Sequence, residues 1–401
     1  MNCLKAELPI MLRPASNQWK NALRRYTTAT RSRPKTALFF PGQGTQRVGM
    51  TTEWLEAFPR TVKPILEQID DTLKMPLTRI IAEGPNSSLT ATENAQPAIL
   101  CTSIMILRVL EREFDFETAD RVDITLGHSL GEFAALVAGQ YIQEDDALRL
   151  ARRRAESMAQ CSQEARAEFG GEVGMVALVC EPEQREGMVN AIYEFLDVSS
   201  SGSKADSSKD YDLPSVQQVS IANVNSKNQI VLSGSIERIK TLLTHISQFD
   251  GHNPRTVRLK ADSPFHSPLM KPATGVMRRL LSMPSKSGKD IVTFPGIVPC
   301  VSNVTARPFA SKHEVEDLLA RQCAETVQWH ESILYLHRQE KVRRWVGIGP
   351  GKVGRNLVGK EVGMKGAVKG GGVWGIASPR EVEEVLVALD ETEHFDENED
   401  E

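Results

Sequence analysis

The stretch ITLGHSLGEFAALVAG, residues 124–139, constrains the chain more than any other. Val122, Ile124 and Leu126 alternate in a short β-type run, Gly127 and Gly131 bracket Ser129, and EFAALVAG follows with strong helix formers and an apolar face. Strand, sharp turn and helix around Gly-x-Ser-x-Gly is the context of a nucleophile elbow, the unit of an α/β fold that leaves a serine hydroxyl exposed at its tip. The glycines let the backbone turn tightly and let the helix pack close. At a helix N-terminus, free N–H groups and the positive dipole end favour a developing oxyanion. A serine that only caps the helix fits the same five residues.

The rest of the chain narrows the choice. Its 401 residues suffice for a large domain with a smaller one inserted, or for two ordinary domains. A net charge of -4 argues against a nucleic-acid binder working through a basic surface. No apolar run approaches the roughly 20 residues that span a bilayer, so no membrane partner is expected. The cysteines, Cys3, Cys101, Cys161, Cys180, Cys300 and Cys323, contain no C-x-x-C pair, so neither zinc nor any other metal site is indicated.

The ends differ from the middle. Residues 1–35 carry Lys5, Arg13, Lys20, Arg24, Arg25, Arg31, Arg33 and Lys35 against the single acid Glu7, with hydroxyl residues clustered in RRYTTATRSR. That is the composition of a mitochondrial transit peptide, which places the mature protein in the matrix; the alternative is a basic tail. Residues 386–401, ending in DETEHFDENEDE, are expected to be an acidic disordered tail. The polar stretch 199–212, SSSGSKADSSKDYD, reads as a flexible loop.

Around that loop the pattern is strand (174–180), helix (184–196), hairpin (219–235), helix (236–246) and strand (256–260). This is the order of a split βαβ, or ferredoxin-like, module. It divides the chain into an α/β core at 36–160 and 262–385 and an inserted subdomain at 161–261.

Six motifs occur in order: TALFFPGQGTQRVGM (36–50), NAQPAIL (94–100), GHSLGE (127–132), ARRRAESM (151–158), SPFHSPLMKP (263–272) and VQWHESI (327–333). Together they resemble the malonyl-CoA:acyl-carrier-protein transacylases and the acyltransferase domains of fatty acid and polyketide synthases, over about residues 36–358. The resemblance implies an α/β-hydrolase-like core carrying a ferredoxin-like subdomain. It implies Ser129 as nucleophile, His266 as general base, and the backbone amides of Gln43 and Leu130 as the oxyanion hole. It further implies that Arg154 holds the free carboxylate of malonyl, that Phe265 and Asn223 face the substrate, and that the carbonyl of Gln328 orients the histidine. Malonyl-CoA and acyl carrier protein are then the partners, with no cofactor.

The chemistry is coherent. A histidine within hydrogen-bond reach of Ser129 removes its proton during attack on a thioester and returns one to the leaving thiolate. Arginine suits a carboxylate because its planar fork makes two parallel bonds and keeps its charge. His128 is a poor base, since adjacent side chains on an elbow point apart. Arg152 and Arg153 read as surface residues, and Asn303 in SNVTARP carries only a weak signal. GPGKVG (349–354) fits a dinucleotide-binding pattern, yet it lacks the acidic residue about 20 positions on, and Val353 stands where a phosphate loop needs Ser or Thr. It reads as a tight strand-to-helix turn. The competing functions are a serine esterase or thioesterase, which passes the acyl group to water, and a non-catalytic module that binds the acyl carrier.

Overall fold

The computed structural model describes residues 33–196, 214, 217–363 and 370–393. The expected loop at 199–212 lies outside them, as do 1–32 and 394–401.

One sheet is entirely parallel, with strands β1 (Lys35–Phe40), β2 (Ile124–Gly127), β7 (Cys300–Val301), β8 (Val342–Ile348) and β9 (Gly372–Ile376) in the spatial order β7-β2-β1-β8-β9. A parallel sheet is covered on both faces, so its strands are mostly apolar. In β1, Leu38 and Phe40 enter one hydrophobic cluster while Ala37 and Phe39 enter the other, as the two-residue repeat of a strand requires. Helix α1 (Thr92–Phe114) contributes Ile99, Met105 and Leu110 to the first cluster. Helix α8 (Val353–Val362) adds Leu357 and Val358 to the second.

The other sheet is antiparallel, in the order β4-β5-β3-β6, from β3 (Val173–Val179), β4 (Val219–Ser226), β5 (Gln229–Ser235) and β6 (Arg255–Arg258). Helices α4 (Arg185–Phe195) and α5 (Ile236–Gln248) pack on it through Met188, Ile192, Ile239 and Leu242. The chain order β3-α4-β4-β5-α5-β6 is the βαββαβ order expected from the sequence.

Three expected boundaries move. The 160/161 division falls inside helix α3 (Glu144–Phe169), an unbroken helix whose Ala151, Met158 and Cys161 belong to the main core. Periodicity alone could not end it, because the αL cap that stops it lies at Gly170. The acidic end starts later than residue 386, since helix α9 (Val382–Glu391) buries Val385 and Leu389 and pairs Asp390 with Arg121 at 2.6 Å. The basic N-terminal segment stops earlier than residue 35. Arg33 bonds Asp123 at 2.8 Å, and Lys35 opens β1.

The segment at Val327 ties β4 to the loop after β7, where Gln328 N donates to Asn303 O at 2.8 Å. Val327 donates its amide to Ala222 O at 2.8 Å and accepts from Val224 N at 3.1 Å, so the segment after helix α6 (Lys312–Arg321) lies along the edge of β4. No helix among the described residues is long and apolar enough to cross a membrane.

Candidate active site

Ser129 occupies the turn between β2 and helix α2 (Gly131–Ala138) with φ +51°, in the left-handed region. The flanking glycines are there for space. A Cβ on Gly127 would fall 2.0 Å from Gly131 C and O, and one on Gly131 would fall 2.4 Å from Phe40 O. Asn303, a weak signal in the sequence, fastens the turn at both ends: Ser129 N donates to its Oδ1 at 2.7 Å, and its Nδ2 donates to Gly127 O at 2.6 Å.

Ser129 Oγ lies 2.7 Å from His266 Nε2. The other ring nitrogen, Nδ1, meets the carbonyls of Gln322 at 2.7 Å and Glu325 at 3.2 Å. A carbonyl can only accept, so Nδ1 carries the proton and Nε2 accepts from the serine hydroxyl. The ring is 2% exposed, and burial, with the Arg154 charge and then His128 beside it, pushes its pKa down to about 3. His266 is therefore neutral, and can take the hydroxyl proton, across the whole neutral range.

The carbonyl that orients the histidine is not that of Gln328. Gln328 O accepts from Ser332 N at 2.9 Å and Ser332 Oγ at 2.8 Å, opening helix α7 (Trp329–Leu334). Gln322 caps the C-terminus of α6, where helix carbonyls lack intrahelical donors, so its oxygen is available.

Arg154 is 1% exposed and touches only neutral groups: Nη1 donates to Gln96 Oε1 at 2.7 Å, and Nη2 to Gln322 Oε1 at 2.9 Å and Ser129 Oγ at 3.3 Å. Its Nε has no partner, and no carboxylate among the described residues lies within salt-bridge reach. A buried guanidinium without a counter-charge is costly unless an anion reaches it. Arg152 and Arg153, by contrast, pair with Glu156 on the helix surface.

Gln43 follows β1 on a loop pressed against the elbow, where a Cβ on Gly42 would fall 2.6 Å from His128 O. Its carboxamide accepts from Gln96 Nε2 and donates to Thr92 Oγ1, both at 3.3 Å. Neither the Gln43 nor the Leu130 amide donates to a protein acceptor among the described residues. The GPGK turn braces the same loop from below. Gly349, at φ +136°, leaves no room for a Cβ, which would meet Pro41 Cδ at 2.7 Å.

Phe265 is buried in the main core beside the histidine. Asn223 is buried on β4 at an irregularity in its pairing, and among the described residues no hydrogen bond joins its side chain to Ser129, His266 or Arg154. His128 turns away from the serine, its Nε2 2.9 Å from Asn225 Oδ1 and its ring edge-on to Trp329.

Residues 38–204 match the family described as acyl transferase domain. Over 328 residues, 81% of this chain and 90% of the other, the sequence is 34% identical to the malonyl CoA-acyl carrier protein transacylase of Bacillus subtilis strain 168. The chain belongs to the malonyl-CoA:acyl-carrier-protein transacylase family. It is therefore an acyltransferase. The acyl-carrier-protein S-malonyltransferase of Bartonella henselae superposes with a TM-score of 0.71 at 31% identity, over 89% of this chain and 99% of that one. A malonyl-transacylase solved with its type II PKS acyl-carrier protein superposes with a TM-score of 0.70 at 26% identity, again over 89% and 99%. Five of the six transacylase motifs converge on one hydrogen-bonded group, through Gln43, Gln96, Ser129, Arg154 and His266. The sixth, VQWH, supplies Val327, which forms a parallel bridge to Asn223 on β4.

Proposed function

We propose that this protein moves the malonyl group from malonyl-CoA to the phosphopantetheine thiol of acyl carrier protein through a malonyl-Ser129 ester. The observation that carries the reading is Arg154, a buried cation with no counter-charge within salt-bridge reach among the described residues, 3.3 Å from the Ser129 hydroxyl. An acyl group with its own carboxylate supplies the missing anion.

In this reading His266 takes the proton of Ser129 as Oγ attacks the thioester carbon, and the tetrahedral oxyanion is received by the amides of Gln43 and Leu130. Each such donor contributes about 2.7 to 4 kcal/mol to the transition state. Collapse expels CoA thiolate, which takes the proton from His266. The carrier thiol then repeats the steps in reverse order, losing its proton to His266 and releasing Ser129. Phe265 and Asn223 form the wall on the histidine side. We also read the parallel-sheet core as α/β-hydrolase-like, on the strand-elbow-helix unit at β2, with the antiparallel sheet as the inserted subdomain. Residues 1–32, with six bases and one acid, support a mitochondrial address by composition, and with it a role in mitochondrial fatty acid synthesis.

The test mixes the enzyme, malonyl-CoA and holo acyl carrier protein and reads both products by mass. Malonylated carrier, with a Ser129-linked adduct that Ser129→Ala abolishes, is the expected result. Free malonate with an unmodified carrier means a hydrolase. For the address, residues 1–32 fused to a reporter are expected to carry it into mitochondria, and a cytosolic reporter refutes that part.

A further inference from the structure

Three side chains behind the nucleophile form a buried line, of which the transfer chemistry uses only Arg154 and leaves the side chains of Glu132 and Gln322 without a role. Glu132 is 0% exposed, Gln322 0% and Arg154 1%. Gln322 Nε2 donates to Glu132 Oε2 at 2.6 Å, while Gln322 Oε1 accepts from Arg154 Nη2 at 2.9 Å. The other carboxyl oxygen of Glu132 is occupied by Asn303 N at 2.9 Å. We infer that the Gln322 side chain is a specificity-determining spacer, which holds Glu132 off Arg154 so that the arginine's charge stays available to the carboxylate of an incoming acyl group. The inference rests on the malonyl reading above and concerns a residue that acts through Arg154 rather than on the substrate.

The chemistry of the three groups makes the case. A guanidinium only donates and a carboxylate only accepts, so two such buried neighbours bond each other, often in two parallel bonds. A carboxamide is neutral and offers an acceptor to one side and a donor to the other. Placed between them it satisfies both without cancelling either. Its orientation is set by its partners, with oxygen toward Arg154 and nitrogen toward Glu132. The Glu132 carboxyl agrees with separation: burial outweighs the more distant Arg154 charge and pushes its pKa up to about 8, where a carboxylate in direct contact with a cation is held down. Without the spacer, Glu132 reaches the guanidinium, ionises and fills the place of the substrate carboxylate. Gln322 also orients His266, but through its backbone carbonyl, which side-chain substitution leaves in the chain.

The experiment is a competition. Enzyme is mixed with equimolar malonyl-CoA and acetyl-CoA, quenched early, and the two Ser129 adducts are counted by intact mass. Because only folded, reacting molecules are counted, partial misfolding does not alter the ratio. Gln322→Ala is expected to lower the malonyl-to-acetyl ratio about ten-fold, the scale of one buried contact between coupled residues. Adding Glu132→Gln to that variant removes the competing charge and is expected to restore most of the ratio. Gln322→Asn, one methylene too short to span both partners, moves it in the same direction as alanine. An unchanged ratio in Gln322→Ala, or a lowered ratio that Glu132→Gln fails to restore, overturns the spacer. A parent enzyme that takes no malonyl at all overturns the malonyl reading instead, so the two failures are distinct.

Discussion

Arg154 Nη2 lies 3.3 Å from Ser129 Oγ, so the buried cation and the hydroxyl are in direct hydrogen-bond contact. An acyl group anchored to the first by its carboxylate is delivered to the second, which removes much of the entropic cost of bringing the thioester to the serine. The histidine, 2.7 Å from the same hydroxyl, completes the set.

His266 has its pKa pushed down to about 3 by burial, the Arg154 charge and His128. A base works only while unprotonated, so acylation is lost as pH falls through the pKa of the folded protein, not through the 6.5 of a free histidine. Single-turnover malonylation followed by quenched mass analysis is expected to stay level from pH 8 down to roughly pH 5. A half-maximal rate near 6.5 contradicts the buried, neutral histidine.

Gly127 has no space for a side chain, since its Cβ would sit 2.0 Å from the backbone of Gly131. No rotamer change relieves a backbone clash, so Gly127→Ala forces the elbow open. A stability loss of about 1 to 3 kcal/mol or more is expected in denaturant unfolding, together with loss of acylation. Ser129→Ala, which keeps the same backbone, loses acylation while staying close to the parent in stability. Equal stability of the Gly127 variant and the parent means that the turn tolerates a side chain and is not a tight elbow.

The elbow was legible because all its determinants lie within a few residues: an alternating strand, two glycines and a helix-forming run. The small antiparallel sheet was legible for a similar reason, as each element announces itself by its own period. What pairs across the chain is legible only through the family motifs, as for Ser129 with His266, and otherwise not at all. Asn303 holds Ser129 N from 174 positions away, and nothing local marks an asparagine after a two-residue strand. The family motifs point to Gln328 for the histidine's orienting carbonyl, six residues beyond the one that the structure uses. Gln322 and Gln328 flank the same short segment, and only the helix ends decide that one carbonyl is open while the other is bound to Ser332. The 160/161 division falls inside helix α3 because that helix continues unbroken up to the glycine that stops it.

The central claim is that Arg154 reads the substrate carboxylate, and kcat/KM for malonyl-CoA and acetyl-CoA in parent and Arg154→Ala tests it most directly. Breaking a buried charge pair from one side costs about 3 to 5 kcal/mol, a factor of roughly 150 to 5000. Malonyl transfer is expected to fall by that factor. Acetyl-CoA brings no carboxylate, and in the parent it leaves the guanidinium without a counter-charge, so acetyl transfer is expected to hold steady or rise. A parallel fall for both thioesters contradicts the account, and makes Arg154 a support for the fold or for the coenzyme.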